Sequence, residues 1–217
     1  MHDRYMLHAL PAAERAYEHV KARIISGQLP GGEMISEGEI AAALEMSRTP
    51  VREAFLRLEV EGFLTLYPKR GAVVTPISAD EVREVYEARL VIDRHAAAFL
   101  CEQPKATRRN VTNQLQHIVD KQNAALDAGD LAGYAGLDAE FHQTIMDHGG
   151  NSILAQLGHS LRERQQRFTA TALRRNIATA REFVSSHARL IDALARGDRS
   201  AYDREITTHL NLSRNQL

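Results

Sequence analysis

Apolar residues recur three and four apart through most of this chain, and that spacing predicts helix. Ala16, Val20, Ile24 and Ile25 mark one face of a helix over about 12–26. "GQLPGGEMIS" then interrupts the pattern with glycines and a proline. Ser36 has N-cap chemistry and Glu39 stands at the capping-box position, so a short helix is expected over 37–44. Ser47 opens the next helix, with Pro50 in its first turn, where no N–H is needed, and Gly62 closing it. Val51, Ala54, Phe55 and Leu58 form its apolar face, while Leu56 and Val60 fall off that stripe. "FLTLYPKRGAVVTPI" predicts two short strands, 63–67 and 72–75, around a "PKRG" turn. After Ser78, with Glu81 three residues on, the helical spacing returns and holds to the end. Helices are expected at about 79–102, 106–128, 130–148, 151–170, 177–196 and 199–214. The change of character divides the chain into 1–76 and 77–217. The fold class is mainly α: three helices and a hairpin, then an all-α antiparallel helical bundle.

Composition narrows the function classes. The formal net charge of the 217 residues is −1, so any nucleic-acid binding must come from a local patch. One cysteine, Cys101, excludes an internal disulfide framework and points to a reducing cytosol. No apolar run reaches the length of a membrane span, and "MHDRYMLHALPAAERAY" lacks the apolar core of a signal peptide. A cytoplasmic protein without membrane contact is expected. Ten histidines are many for this length and call for an account.

The two short helices joined by "EMS" have the spacing of a helix-turn-helix, whose second helix enters the major groove by its N-terminal residues. Those residues are Ser47, Arg48, Thr49 and Arg52. Hydroxyls suit phosphate, and arginine can grip guanine through two acceptors. Lys69, Arg70 and Gly71 form the hairpin tip, a wing able to reach the neighbouring groove. Segment 1–76 is nearly neutral, so the charge alone fits a small helical domain with scattered surface charge equally well. The motifs decide. "ISEGEIAAALEMSRTPVREAFLRLEVEGFLTLYPKRGAVV" closely resembles the winged helix-turn-helix of the GntR family of bacterial transcription regulators. The resemblance covers about residues 12–76. It implies binding to double-stranded operator DNA through Ser47, Arg48, Thr49 and Arg52, with a wing around Lys69, Arg70 and Gly71. The family commonly carries an arginine in "SERELA", where this chain has Gly38 in "SEGEIA". Operator preference should differ accordingly.

The C-terminal helices carry polar residues on their apolar stripes. Asp138 falls among Tyr134, Phe141 and Ile145, with His142 on the same side one turn on. His187 falls within Ala180, Val184, Ile191 and Leu194, and His209 beside Tyr202, Ile206 and Leu210. A buried lone carboxylate is costly, so a partner is expected. One aspartate and three histidines would make an N₃O site suited to zinc, nickel, manganese or iron. A single inward histidine is more often a hydrogen-bonded core residue than a ligand. "LDAEFHQTIMDHGGNSIL" and "SSHARLIDALARGDRSAYDREITTHL" resemble the FCD effector domain of the FadR subfamily. That resemblance implies that Asp138, His142, His187 and His209 are metal ligands, in the shorter, VanR-like variant.

On helix 79–102, Val82, Tyr86, Leu90, Ala97 and Leu100 form the buried face, and Arg89 and Asp93 point the same way. The FCD pattern places an arginine here. Arg89 is thus an effector candidate that would clamp a carboxylate against a metal, with Asp93 orienting it or merely pairing with it along the helix. Arg164, on the apolar side with Leu157, Leu161 and Phe168, is a further effector candidate. The run "RERQQRFTATALRR" is expected to be a solvated face. The resulting expectation is a homodimeric, ligand-responsive regulator, a repressor by family habit, sensing a small carboxylate through a divalent metal, zinc first. The rivals are a metal-dependent hydrolase and a regulator in which the metal itself is the signal.

Overall fold

In the computed structural model the described residues are 10–175 and 178–215. The chain divides into two compact units, Met1–Ile77 and Ser78–Leu217. The first contains α1 (Ala12–Ile25), β1 (Met34–Ile35), α2 (Glu37–Ala43), α3 (Arg48–Val60), β2 (Leu64–Tyr67) and β3 (Gly71–Val74). Ser36 caps α2 through a complete capping box with Glu39, as its spacing predicts. Ala16, Val20 and Ile24 of α1 join Val51, Ala54, Phe55 and Leu58 of α3 and the inner side chains of the strands in one core.

The hairpin is a three-stranded sheet in the order β1-β3-β2. β1 pairs antiparallel with β3, Ile35 opposite Ala72, and this strand is absent from the sequence expectation. At two residues, in a segment punctuated by glycine and proline, it is too short to show alternation. The pairing explains Gly71. Its φ is +105°, and a Cβ there would lie 2.4 Å from the Ile35 carbonyl oxygen.

Among the described residues the second unit is a bundle of six helices: α4 (Ala79–Glu102), α5 (Lys105–Asp127), α6 (Leu131–Asp147), α7 (Ser152–Arg175), α8 (Ala178–Arg196) and α9 (Arg199–Arg214). Ser78, Asp130 and Asp198 each cap a helix by accepting a backbone N–H three residues on. α6 packs on α5 and α7, α5 on α8, and α9 on both α4 and α8. α4 approaches the α6–α7 turn so closely that a Cβ at Gly149 would lie 2.5 Å from that of Ala96.

Three expectations need correction. α7 runs to Arg175, not 170, and the segment expected to be a solvated basic face is buried in part. Gln165, Arg167, Phe168, Thr169, Ala170, Ala172 and Leu173 all lie inside. The charged residues hide a stripe of small and apolar side chains at helical spacing. Conversely Leu157, placed with the buried face, is 51% exposed.

Candidate functional site

In the first unit the expected DNA-facing residues lie on the open side of α3. Ser47, Arg48, Thr49 and Arg52 are exposed at its N-terminal end, opposite the buried stripe. Arg52 Nε lies 3.8 Å from a Glu37 oxygen across to α2, a loose surface pair. The Arg48 guanidinium rests over Gly38, whose Cβ position is 3.4 Å from Nη2. Lys69 and Arg70 are exposed at the hairpin tip, whereas Gly71 belongs to β3.

Arg57 behaves differently. Sequence reasoning leaves it as a backbone contact or plain surface. Its guanidinium stacks over the Tyr17 ring at 3.5 Å and pairs with Glu14 at 2.8 Å and Glu61 at 3.3 Å. Lys21, nearly buried, bonds the Tyr17 hydroxyl and lies 2.8 Å from Glu61. These side chains bolt α1 to the C-terminal end of α3, leaving its N-terminal turns clear.

In the second unit Asp138, His142, His187 and His209 converge. One ligand atom from each lies within 4.8 Å of all the others, and all four side chains are buried. His142 Nε2 is 3.2 Å from His209 Nε2, and His187 Nε2 is 3.5 Å from Asp138 Oδ1. Ligands bonded to zinc at about 2.1 Å and at tetrahedral angles lie roughly 3.4 Å apart. Burial holds the three imidazoles neutral. It pushes His142 down to about 3, with the Arg89 charge adding to the effect. It pushes His187 and His209 well below the ordinary histidine value. Neutral imidazole is the ligand form.

The surroundings orient these groups. His142 Nδ1 faces Asp93 Oδ1 at 3.4 Å. His187 Nδ1 lies 2.9 Å from Gln122 Oε1, and Phe141 stacks on its ring at 4.1 Å. Gln165 and Thr169 donate to Asp138 Oδ2 at 3.0 and 3.3 Å, leaving Oδ1 toward the histidines. His187 Nε2 and His209 Nδ1, both buried, have no hydrogen-bond partner among the described residues. The residues present therefore fit a divalent metal.

Arg89 is buried beside this cluster, and neither Nε nor Nη2 has a hydrogen-bond partner among the described residues. No Arg89–Asp93 hydrogen bond is formed: Asp93 Oδ1 turns to His142, and Oδ2 has no hydrogen-bond partner among the described residues. Burial raises the Asp93 carboxyl to about 6, against the pull of Arg89 and His209. Arg164 is a third exposed and meets Glu81 of α4 at 3.1 Å, so a carboxylate of this chain already answers its charge. Of the other histidines, His95, His117 and His159 are exposed, while His148 holds the Thr144 carbonyl. His2 and His8 lie outside the described residues.

Comparison with known proteins now bears on this arrangement. Residues 84–212 match the FCD domain family, and residues 12–74 match the bacterial regulatory proteins of the gntR family. The chain belongs to the GntR family. The HTH-type transcriptional repressor RspR of Escherichia coli K12 is 26% identical over 204 residues, 92% of this chain and 86% of that one. The gluconate operon transcriptional repressor of Bacillus licheniformis is 27% identical over 185 residues, 83% of this chain and 74% of that one. The solved structure of E. coli McbR/YncC superposes with a TM-score of 0.73 at 23% identity, over 93% of this chain and 94% of that one, a likeness of fold.

This GntR protein is therefore a DNA-binding transcription regulator, and the hydrolase alternative is set aside, since the family and the relatives are regulators. No helix among the described residues is long and apolar enough to cross a membrane. Sequence reasoning about this regulator missed Gln122, Gln165 and Thr169. A signal existed for Gln122, a polar residue in register with Val111, Leu115 and Ile118 on the buried face of α5.

Proposed function

We propose that this regulator senses a small carboxylate through a divalent metal held by Asp138, His142, His187 and His209. The single observation that carries it is the pairing of four converging buried ligand atoms with a buried arginine whose Nε and Nη2 have no hydrogen-bond partner among the described residues. A neutral N₃O donor set fits zinc first, with nickel, manganese or iron as alternatives. When bound, the ion supplies positive charge and an open coordination position for a carboxylate oxygen. Arg89 offers the second positive contact and prefers a planar, two-oxygen acceptor. Desolvated charge on Arg89 is costly without an anion, which favours an acid as the effector.

The chain acts as a homodimer of the FadR subfamily, because one recognition helix reads one half-site. Ser47, Arg48, Thr49 and Arg52 meet the major groove, and Lys69 and Arg70 reach alongside from the wing. The acid binds one arrangement of the two heads better than the other and so shifts operator affinity. Release from DNA is the expected sign, in keeping with the relatives named as repressors.

The test is operator binding by the full chain, titrated with zinc and with a panel of mono-, di- and hydroxycarboxylic acids. An acid should weaken operator binding only in the zinc-loaded protein, and Arg89→Met should abolish that response while zinc still binds. Acid-driven release that persists in metal-free Asp138→Ala protein would sink the metal-mediated model. A response to zinc alone, unchanged by every acid, would instead make the ion the signal.

A further inference from the structure

We infer that Gln122 is a positioning residue of the metal centre, setting which nitrogen of His187 faces the ion; this rests on the metal-sensing proposal above. Gln122 is fully buried on α5, and its carboxamide is held at both ends. Its Nε2 donates to the Leu137 carbonyl of α6 at 3.2 Å, so its Oε1 must be the atom turned to His187 Nδ1 at 2.9 Å. A carboxamide oxygen only accepts, so Nδ1 carries the imidazole proton. Nε2 is then left with its lone pair, and it is the nitrogen that lies 3.5 Å from Asp138 Oδ1 without a hydrogen-bond partner among the described residues.

One side chain thus joins three helices: its own α5, α6 at the residue before Asp138, and α8 at His187. Phe141 stacked on the imidazole fixes the ring plane, and Gln122 fixes the rotation within that plane. His142 has the corresponding partner in Asp93, whereas His209 Nδ1 has none among the described residues. Outer partners of this kind orient a ligand and raise its basicity, and their loss typically costs about 10–100-fold in metal affinity.

The test compares wild-type full-length protein with Gln122→Met and Gln122→Glu. Methionine fills the space without a comparable acceptor or an N–H donor. Glutamate keeps an acceptor for His187. Zinc affinity is read by chelator competition, and the His187 tautomer by nitrogen NMR of the zinc-free protein. The expected result is an Nδ1-protonated His187 in wild type and Gln122→Glu, lost in Gln122→Met. Zinc should bind about 10–100-fold more weakly to Gln122→Met and at wild-type strength or better to Gln122→Glu. Equal zinc affinity of folded Gln122→Met and wild type overturns the role of Gln122 and leaves the metal site standing. If Gln122→Met does not fold, a tenfold loss in Gln122→Glu overturns it instead. A wild-type protein that binds no zinc, nickel, manganese or iron overturns the metal reading and this inference with it.

Discussion

Three arginines of one helix have three different situations. Arg52 is exposed and only loosely engaged by Glu37, so it can turn to DNA at little cost. Arg52→Ala should weaken operator binding about tenfold or more at fixed salt, measured by fluorescence anisotropy. An unchanged affinity would remove it from the interface. Arg48 lies against Gly38, and an arginine at 38 would displace it by bulk and by like charge. Gly38→Arg should therefore change the ranking of operator variants in a competition assay, whereas an unaltered ranking would show that Gly38 does not steer Arg48. Arg57 is a strut, stacked on Tyr17 and paired with two glutamates. Arg57→Ala should cost about 1 kcal/mol of stability in the first unit while leaving the salt slope of operator binding as it was. A reduced slope would make it a phosphate contact after all. Sequence alone put Arg48 and Arg52 together to one side of the core stripe and left Arg57 as a backbone contact or plain surface. It could not show that Arg57 is a strut, because that role depends on Tyr17 and Glu14 of α1, the latter 43 residues away in the chain.

At the scale of elements, periodicity predicted most boundaries to within a few residues, because burial of one face is a local property of a helix or strand. It missed β1, whose existence depends on β3 rather than on its own two residues. The dependence runs both ways at Gly71, where the close approach and the positive φ leave no room for a side chain. Gly71→Ala should loosen the hairpin and lower the melting temperature of the first unit. It should also weaken operator binding although it removes no charge. A variant with wild-type stability and affinity would show that the β1–β3 pairing does not hold the wing in place. In α7 the basic composition misled, since Arg and Gln flank a stripe of alanine, threonine, leucine and phenylalanine that the bundle covers. Long polar side chains can line an interior when their ends find partners, as Gln165 does on Asp138.

For the whole molecule, the buried histidines tie stability to pH. An unfolded histidine takes up a proton near 6.5, whereas folded His142 does so only at about 3 and His187 and His209 well below the ordinary value. Unfolded chains therefore bind more protons as pH falls below 6.5. The histidine contribution is complete above that pH and is lost as pH falls toward the folded values. Asp93 acts in the opposite sense. Its folded carboxyl is raised from 3.8 to about 6, so its contribution is present below the unfolded value and lost as pH rises through 6. Three histidines act against one carboxyl over the acid range, so the net effect is a loss of stability as pH falls below 6.5. Urea melts of the metal-free protein from pH 7.5 to 4.5 should show the second unit losing stability steeply below 6.5. A flat profile would mean that these imidazoles are not neutral and buried together. At neutral pH, zinc in excess should raise the melting temperature and a chelator should reverse it, since an ion held only by the folded state stabilises that state.

What the sequence determined by itself was the kind of element at each place and the side of each element that faces inward. It also located a candidate recognition helix and wing, and put four side chains able to hold a metal, one aspartate and three histidines, on inward faces. Only the tertiary structure decided that one ligand atom each of Asp138, His142, His187 and His209 lies within 4.8 Å of all the others. It likewise decided that Asp93 turns to His142 and that Gln122 holds His187. The reason lies in the range of the forces. Helical phase is set by neighbours three and four residues away, but the direction of a ring nitrogen is set by whatever helix is packed against it, and for His187 that partner is 65 residues distant.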